Sequence, residues 1–180
     1  MRQSLSFFSS PVFFFLVILF LAKVDADIVN ETCQKVSQGD KELQYDLCVA
    51  ALRQDPKSHS ADLLGLSIIS INLIKQNATK IGSRIEELLK SDPDVKGCLK
   101  FCKNMYSMAE HDINHALESF KSKDYETANR AVGAALSDAT TCEEGFKESG
   151  IKSLLLAEYN SYSQFGLIAL DITCLLIVCY

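Results

Sequence analysis

Two stretches of seven-residue apolar rhythm, each with one cysteine on its apolar stripe, constrain this chain most. Val95, Leu99, Cys102, Tyr106, Ala109, Ile113, Ala116 and Phe120 recur at alternating four- and three-residue spacing. Tyr125, Ala128, Val132, Ala135, Ala139, Cys142, Phe146 and Ser149 recur at three and four. Such spacing holds side chains on one narrow stripe of an α-helix. Each cysteine therefore sits on the face its helix would bury. A short link, Lys121 to Asp124, would fold the helices back antiparallel and bring the stripes together. A Cys102–Cys142 bond would staple that hairpin through its core face.

The rest of the chain extends the pattern. Leu64, Ile68, Ile71, Ile74, Ala78, Ile81, Ile85 and Leu88 form a third stripe over Asp62 to Lys90. Ser91-Asp92-Pro93 stops that helix, because proline disfavours helical backbone in the residue before it. Gly150 ends the helix that carries Cys142. Tyr162, Phe165, Ala169, Ile172, Leu176 and Cys179 give a fourth stripe. Ahead of these, Asp27 to Gln38 and Lys41 to Leu52 read as two short helical pieces carrying Cys33 and Cys48. Gly39-Asp40 separates them, and Asp55-Pro56 suits a brief turn. Short links make neighbouring helices antiparallel. The predicted fold is all-α: an antiparallel up-down four-helix bundle with an N-terminal disulfide-closed helical hairpin extension. The extension spans 27–61 and the bundle 62–180. No strand pattern, repeat or low-complexity segment appears.

The first 26 residues read as a secretory signal. Arg2 opens it, Val12 through Ala22 is an unbroken apolar run, and Val24-Asp25-Ala26 places small residues at a cleavage site. The run is too short to span a bilayer, which takes about 20 residues. Formal charge is −5 over the full chain; the leader carries Arg2, Lys23 and Asp25, so its removal leaves −6. An acidic exported domain without a basic, aromatic-interleaved patch argues against nucleic-acid binding. Export also implies an oxidising compartment. All seven cysteines follow the leader. The odd count leaves at least one thiol free or paired between molecules, so the expected monomer has a disulfide-linked dimer as its alternative. Cys98 lies one helical turn from Cys102 and off its stripe. Cys174 and Cys179 read as buried thiols, with a bond to Cys98 or a bridge between chains as alternatives. Asn30-Glu31-Thr32 and Asn77-Ala78-Thr79 are glycosylation sequons.

Catalytic signatures are absent from the pattern. His111 and His115 share a helix face as in a zinc motif, but Asp112 replaces the usual glutamate and no third ligand is evident. Two exposed polar residues are the simpler reading, and no metal or cofactor is expected. Cys98-Leu99-Lys100-Phe101-Cys102 lacks redox-pair spacing. There is no nucleophile motif and no phosphate loop. A stapled bundle of this kind reads as a binding or inhibitory module, not an enzyme. A secreted carrier of an apolar ligand is the alternative of another class. Against it stand Ala109, Ala116, Ala128, Ala135 and Ala139, small residues that bring helices close and leave little cavity.

Two blocks carry a family resemblance. One runs from Cys48 to Leu66 and includes Asp55-Pro56-Lys57-Ser58 and Asp62-Leu63-Leu64-Gly65-Leu66. The other is Lys123-Asp124-Tyr125 followed by Ala134-Ala135-Leu136-Ser137-Asp138-Ala139-Thr140-Thr141-Cys142-Glu143-Glu144-Gly145-Phe146. The chain resembles the plant invertase inhibitor and pectin methylesterase inhibitor family over essentially all of Asp27 to Tyr180. The resemblance implies bridges Cys33–Cys48 and Cys102–Cys142, and inhibition by a 1:1 complex in the apoplast or cell wall. It also implies an interface on the second and third bundle helices, at Asn104, His111, Asp138, Thr141 and Glu144. Invertase inhibitors insert a Pro-Lys-Phe segment at the start of the third bundle helix. Here those positions read Tyr125-Glu126-Thr127, without the basic residue. The pectin side expects acidic positions that fall on Met108 and His111, whereas Thr141 and Glu144 fit it. The resemblance therefore leans towards pectin methylesterase as the partner, with acid invertase as the alternative.

Overall fold

The computed structural model describes residues 27–91 and 95–177. The signal reading (1–26), the Asp92-Pro93 stop and Cys179 lie outside the described residues. Among the described residues there are six α-helices and one 3-10 turn, and no strand. In chain order they are α1 (Ile28–Gly39), α2 (Tyr45–Leu52), the 3-10 turn Pro56–Ser60, α3 (Leu63–Ser91), α4 (Lys96–Lys121), α5 (Tyr125–Glu148) and α6 (Leu156–Cys174).

The helix boundaries follow from capping. Asp27 caps α1 by accepting from the Val29 N–H at 3.1 Å. Asp62 precedes α3 and accepts from the Gly65 N–H at 2.8 Å. Asp124 opens α5 by accepting from the Thr127 N–H at 3.0 Å. Each satisfies a donor the helix cannot satisfy internally. α5 ends in a Schellman turn. Gly150 takes φ 67°, so the N–H groups of Ile151 and Gly150 reach back to the carbonyls of Phe146 and Lys147, both at 3.0 Å. The α4–α5 link uses the same turn. Asp124 N–H meets Ser119 O at 2.9 Å and Lys123 N–H meets Phe120 O at 3.1 Å. Here Lys123 holds the left-handed position, with φ 62°.

The bundle closes as a ring. α3 packs on α4, α4 on α5, α5 on α6, and α6 back on α3. The α4–α5 contact is the most extensive of the four. Its facing positions are Ala109, Ala116, Ala128, Ala135 and Ala139, all buried. Cys102 and Cys142 are bonded there with Cα atoms 4.7 Å apart. Small residues permit that approach.

The extension makes a second apolar cluster. Cys33 and Cys48 join α1 to α2, and Val29, Val36, Leu43 and Leu52 pack against Leu66, Ile69 and Leu73 of α3 and Ile168 and Ile172 of α6. This contact corrects the α3 stripe. Ile68, expected inside, is 37% exposed, while Leu66, Ile69 and Leu73 are buried. The first half of α3 has partners on two sides, so its buried arc is wider and rotated. α2 also starts later than expected, at Tyr45. The Glu42 N–H instead donates to Asp40 Oδ1 at 2.8 Å, and the turn this makes occupies residues 40–44. Ser149, the last position of the α5 stripe, is exposed because the helix has ended.

Cys98 is a buried free thiol. Cys174 is disulfide-bonded, which excludes the reading of Cys174 as a free buried thiol or as a partner of Cys98.

Candidate functional site

The Ala-lined, disulfide-tied seam determines what the outer face of α4 and α5 displays. On α4, burying Leu99, Cys102, Tyr106, Ala109 and Ile113 turns Phe101, Asn104, Met108 and His111 outward. On α5, burying Ala135, Ala139 and Cys142 turns Ser137, Thr141 and Glu144 outward. Phe101 lies across the seam, and its ring fills the space above Gly145 where a Cβ would stand. Phe101 stays 39% exposed and Met108 53%. Large apolar side chains left this open on a rigid face mark a contact surface more often than scattered exposure does.

Charged groups border these two. His111 is exposed, with Nδ1 3.5 Å from Asp112 Oδ1. Asp138, across the seam, is half-buried, and its Oδ2 has no hydrogen-bond partner among the described residues. Burial first, and the charge of Asp112 second, push its carboxyl above the ordinary value. A carboxylate held in this way gains from any partner that brings a donor to it. Thr141 donates its Oγ1–H to Ser137 O at 2.8 Å. Asn104 and Glu144 are exposed. The five candidate residues thus share one face, with Asp138 nearest the seam and the others around it. Phe101 was not among them. The sequence does carry a signal for it: Phe101, Met105 and Met108 recur at four and three just off the buried stripe.

An aromatic pair lies beneath this face. Tyr106 and Tyr162 meet edge to face at 5.6 Å. Tyr162 donates its hydroxyl to Ala135 O at 3.2 Å, and burial pushes both phenols well up.

The start of α5 is different in kind. Tyr125 packs its ring on Phe120 at 5.3 Å, Glu126 pairs with Arg130 at 3.6 Å, and Thr127 engages the Asp124 cap. Hydrogen bonds from the Thr127 backbone and side chain hold the Asp124 carboxyl below its ordinary value. Among the described residues no group of three His, Cys, Asp or Glu side chains could hold a metal ion. His115 stands exposed one turn from His111. Of the sequons, Asn30 accepts from Arg53 Nη2 at 3.2 Å, beside the Arg53–Asp27 ion pair. Asn77 donates to Leu73 O at 3.1 Å on α3.

Comparison with known proteins agrees with this architecture. Residues 27–172 match the family model described as plant invertase/pectin methylesterase inhibitor. A protein from Platanus acerifolia, named "Putative invertase inhibitor", is 47% identical over 94% of this chain and 97% of its own length. A "Pectinesterase inhibitor" from Actinidia deliciosa is 31% identical over 81% of this chain and 82% of its own. The crystal structure of a pectin methylesterase inhibitor from Arabidopsis thaliana superposes with a TM-score of 0.59 at 22% identity, covering 83% of this chain and 96% of that one; this likeness speaks for the fold. A ring of four helices, a stapled helical extension and a match over residues 27–172 together make this chain a member of the plant invertase/pectin methylesterase inhibitor family.

Proposed function

We propose that this chain, freed of residues 1–26, acts in the apoplast as a monomeric inhibitor of pectin methylesterase. The outer face of α4 and α5 would cover the enzyme's substrate cleft in a 1:1 complex. The observation that carries this reading is the pair Phe101 and Met108, exposed on a face that the Cys102–Cys142 bond holds rigid. Apolar anchors ringed by polar groups, here Asn104, His111, Asp138, Thr141 and Glu144, are the usual make-up of a protein interface. A rigid face also loses little conformational freedom on binding. A stable complex would bury about 800 Å² of this surface.

Acid invertase is the second reading, favoured by the printed names of the Platanus relatives, at 47% and 48% identity. Against it stands the α5 start, where Tyr125-Glu126-Thr127 offers no basic side chain and Tyr125 is committed to Phe120.

The test is a titration of purified chain beginning at Asp27 against pectin methylesterase and acid invertase, at acidic and neutral pH. Esterase inhibition should saturate at one equivalent. Phe101→Ala and Met108→Ala should each weaken it about tenfold or more, the loss typical of an interface anchor. Inhibition of invertase alone overturns the target. A folded protein that slows neither enzyme overturns the function.

A further inference from the structure

The α3–α6 seam lies across the ring from the proposed partner face, and it holds a groove of about 380 Å³. Asn77, Ile81 and Arg84 of α3 line one wall; Ala157, Glu158 and Ser161 of α6 line the other. The floor is apolar, and Arg84 Nε approaches Glu158 Oε1 at 3.8 Å across it. Asn77 heads the sequon Asn77-Ala78-Thr79. Its side chain is half-buried at the groove edge, and its amide donates to Leu73 O at 3.1 Å. An N-linked amide keeps one N–H, so glycosylation does not strip Asn77 of its donor. Thr79 Oγ1 donates to Glu110 Oε1 at 3.0 Å, on the side facing α4.

We infer that Asn77 carries an N-linked glycan whose first sugar seats in the α3–α6 groove, leaving the α4–α5 face bare. The inference rests on the export argued above, because the transfer takes place in the secretory lumen. The donor is an oligosaccharide on a polyprenyl diphosphate. Asn77 Nδ2 forms the bond to the anomeric carbon, the bond from that carbon to the diphosphate oxygen breaks, Nδ2 gives up one proton, and polyprenyl diphosphate leaves. The transfer acts on the extended chain before α3 forms, so the later helical backbone of Asn77 is no obstacle. What the fold must supply is room for the sugar, and the groove supplies it. A pyranose ring has an apolar face that matches the exposed Ala157, and a rim of hydroxyls that matches Lys80, Arg84, Glu158 and Ser161.

The experiment expresses the full chain in a plant secretory host and recovers it from the medium. Peptide mass spectrometry should find Asn77 occupied in the native chain and in Thr79→Ser, and unoccupied in Thr79→Ala and Asn77→Gln. Hydrogen exchange over residues 156–161 should be several-fold slower in the occupied protein than in Asn77→Gln. Titration against the target enzyme should be the same for both. Chain recovered from the medium with Asn77 bare overturns the inference and leaves the proposed function standing. Chain retained in the cytosol overturns both. An occupied Asn77 with unchanged exchange over residues 156–161 overturns the seating in the groove. Loss of inhibition on occupancy overturns the separation of the two faces.

Discussion

α1 and α2 run 12 and 8 residues, α4 and α5 run 26 and 24, and one disulfide closes each pair. The long pair has an extensive buried seam of its own. The short pair has little: Val29, Val36, Leu43 and Leu52 find most of their neighbours on α3 and α6. Helices this short are marginal in water without such packing. The Cys33–Cys48 bond therefore ties together two helices whose burial comes mainly from the bundle and not from each other, whereas the Cys102–Cys142 bond fixes the spacing of two helices that pack on one another. By chain entropy the ranking is reversed, because the wider separation of 40 residues removes more freedom from the unfolded chain than the separation of 15.

The first way to break this comparison is Cys102→Ala/Cys142→Ala. The chain-entropy model gives a loss of about 4 kcal/mol for this loop, and the two vacated, fully buried sites add to it. Urea unfolding should show one lower midpoint for the whole molecule. A loss below about 1 kcal/mol would mean that the alanine seam alone holds α4 to α5.

Cys33→Ala/Cys48→Ala comes next, at about 3 kcal/mol on the same model. Its effect should be local. Amide exchange across α1 and α2 should quicken, while the amides of α4 and α5 keep most of their protection. Equal loss of protection in all four helices would show that the extension and the bundle form one cooperative unit, and the contrast would fall.

The α5–α6 seam offers a sharper comparison with α4–α5, because both depend on close approach. A Cβ added at Gly166 would stand 2.1 Å from Leu136 Cδ2, while one at Gly133 would meet Leu170 Cδ1 at 3.8 Å. Gly166→Ala should cost about 1–3 kcal/mol through overpacking. Gly133→Ala should gain up to about 1 kcal/mol through helix propensity. Thermal unfolding of both, and of Gly166→Ala combined with Leu136→Ala, checks the assignment. A Gly166 loss that trimming Leu136 fails to relieve would remove Leu136 as its cause.

The bundle was legible in the sequence wherever a helix has one buried face. On α4 the positions from Val95 to Phe120 that recur at four and three are all buried, with Cys98 and Ser119 beside them, and on α5 those from Ala128 to Phe146, with Ala131 beside them. Periodicity fails where a helix is covered on two sides. Beside its Tyr162, Ala169 and Ile172 stripe, α6 also buries Gly166, Ile168 and Thr173, because the extension and α5 both reach it; α3 exposes Ile68 for a related reason. A single period encodes one partner, and the second partner is known only once the chain has folded. On the outer face of α4 and α5, Asn104, His111 and Glu144 are exposed, and Phe101, legible in its four-and-three spacing with Met105 and Met108, is exposed because it rests on Gly145 instead of filling the core.

The smallest effect concerns pH at the join between extension and bundle. Asp171 lies near the end of α6, facing Asp40, with Lys35, Lys41 and Glu42 around the same cavity. Burial first, and Asp40 second, raise its carboxyl from the ordinary 3.8 to about 6. A raised carboxyl favours the protonated folded state, so the stabilisation is complete below pH 4 and fades as pH climbs through 6. Screening at a partly exposed group leaves about 1 kcal/mol of this slope. Asp138 and Glu143 are raised as well, so they add slope of the same sign from within α5. Asp171→Asn should therefore match the native chain at pH 4 and be the more stable of the two at pH 8, with a shallower but non-zero dependence between. The gain at pH 8 should appear as slower exchange in α1 and α2, since Asp40 follows directly on α1. A gain spread evenly over α4 and α5 would place the strain of Asp171 in the bundle instead, and would make the extension the better-held of the two stapled hairpins at neutral pH.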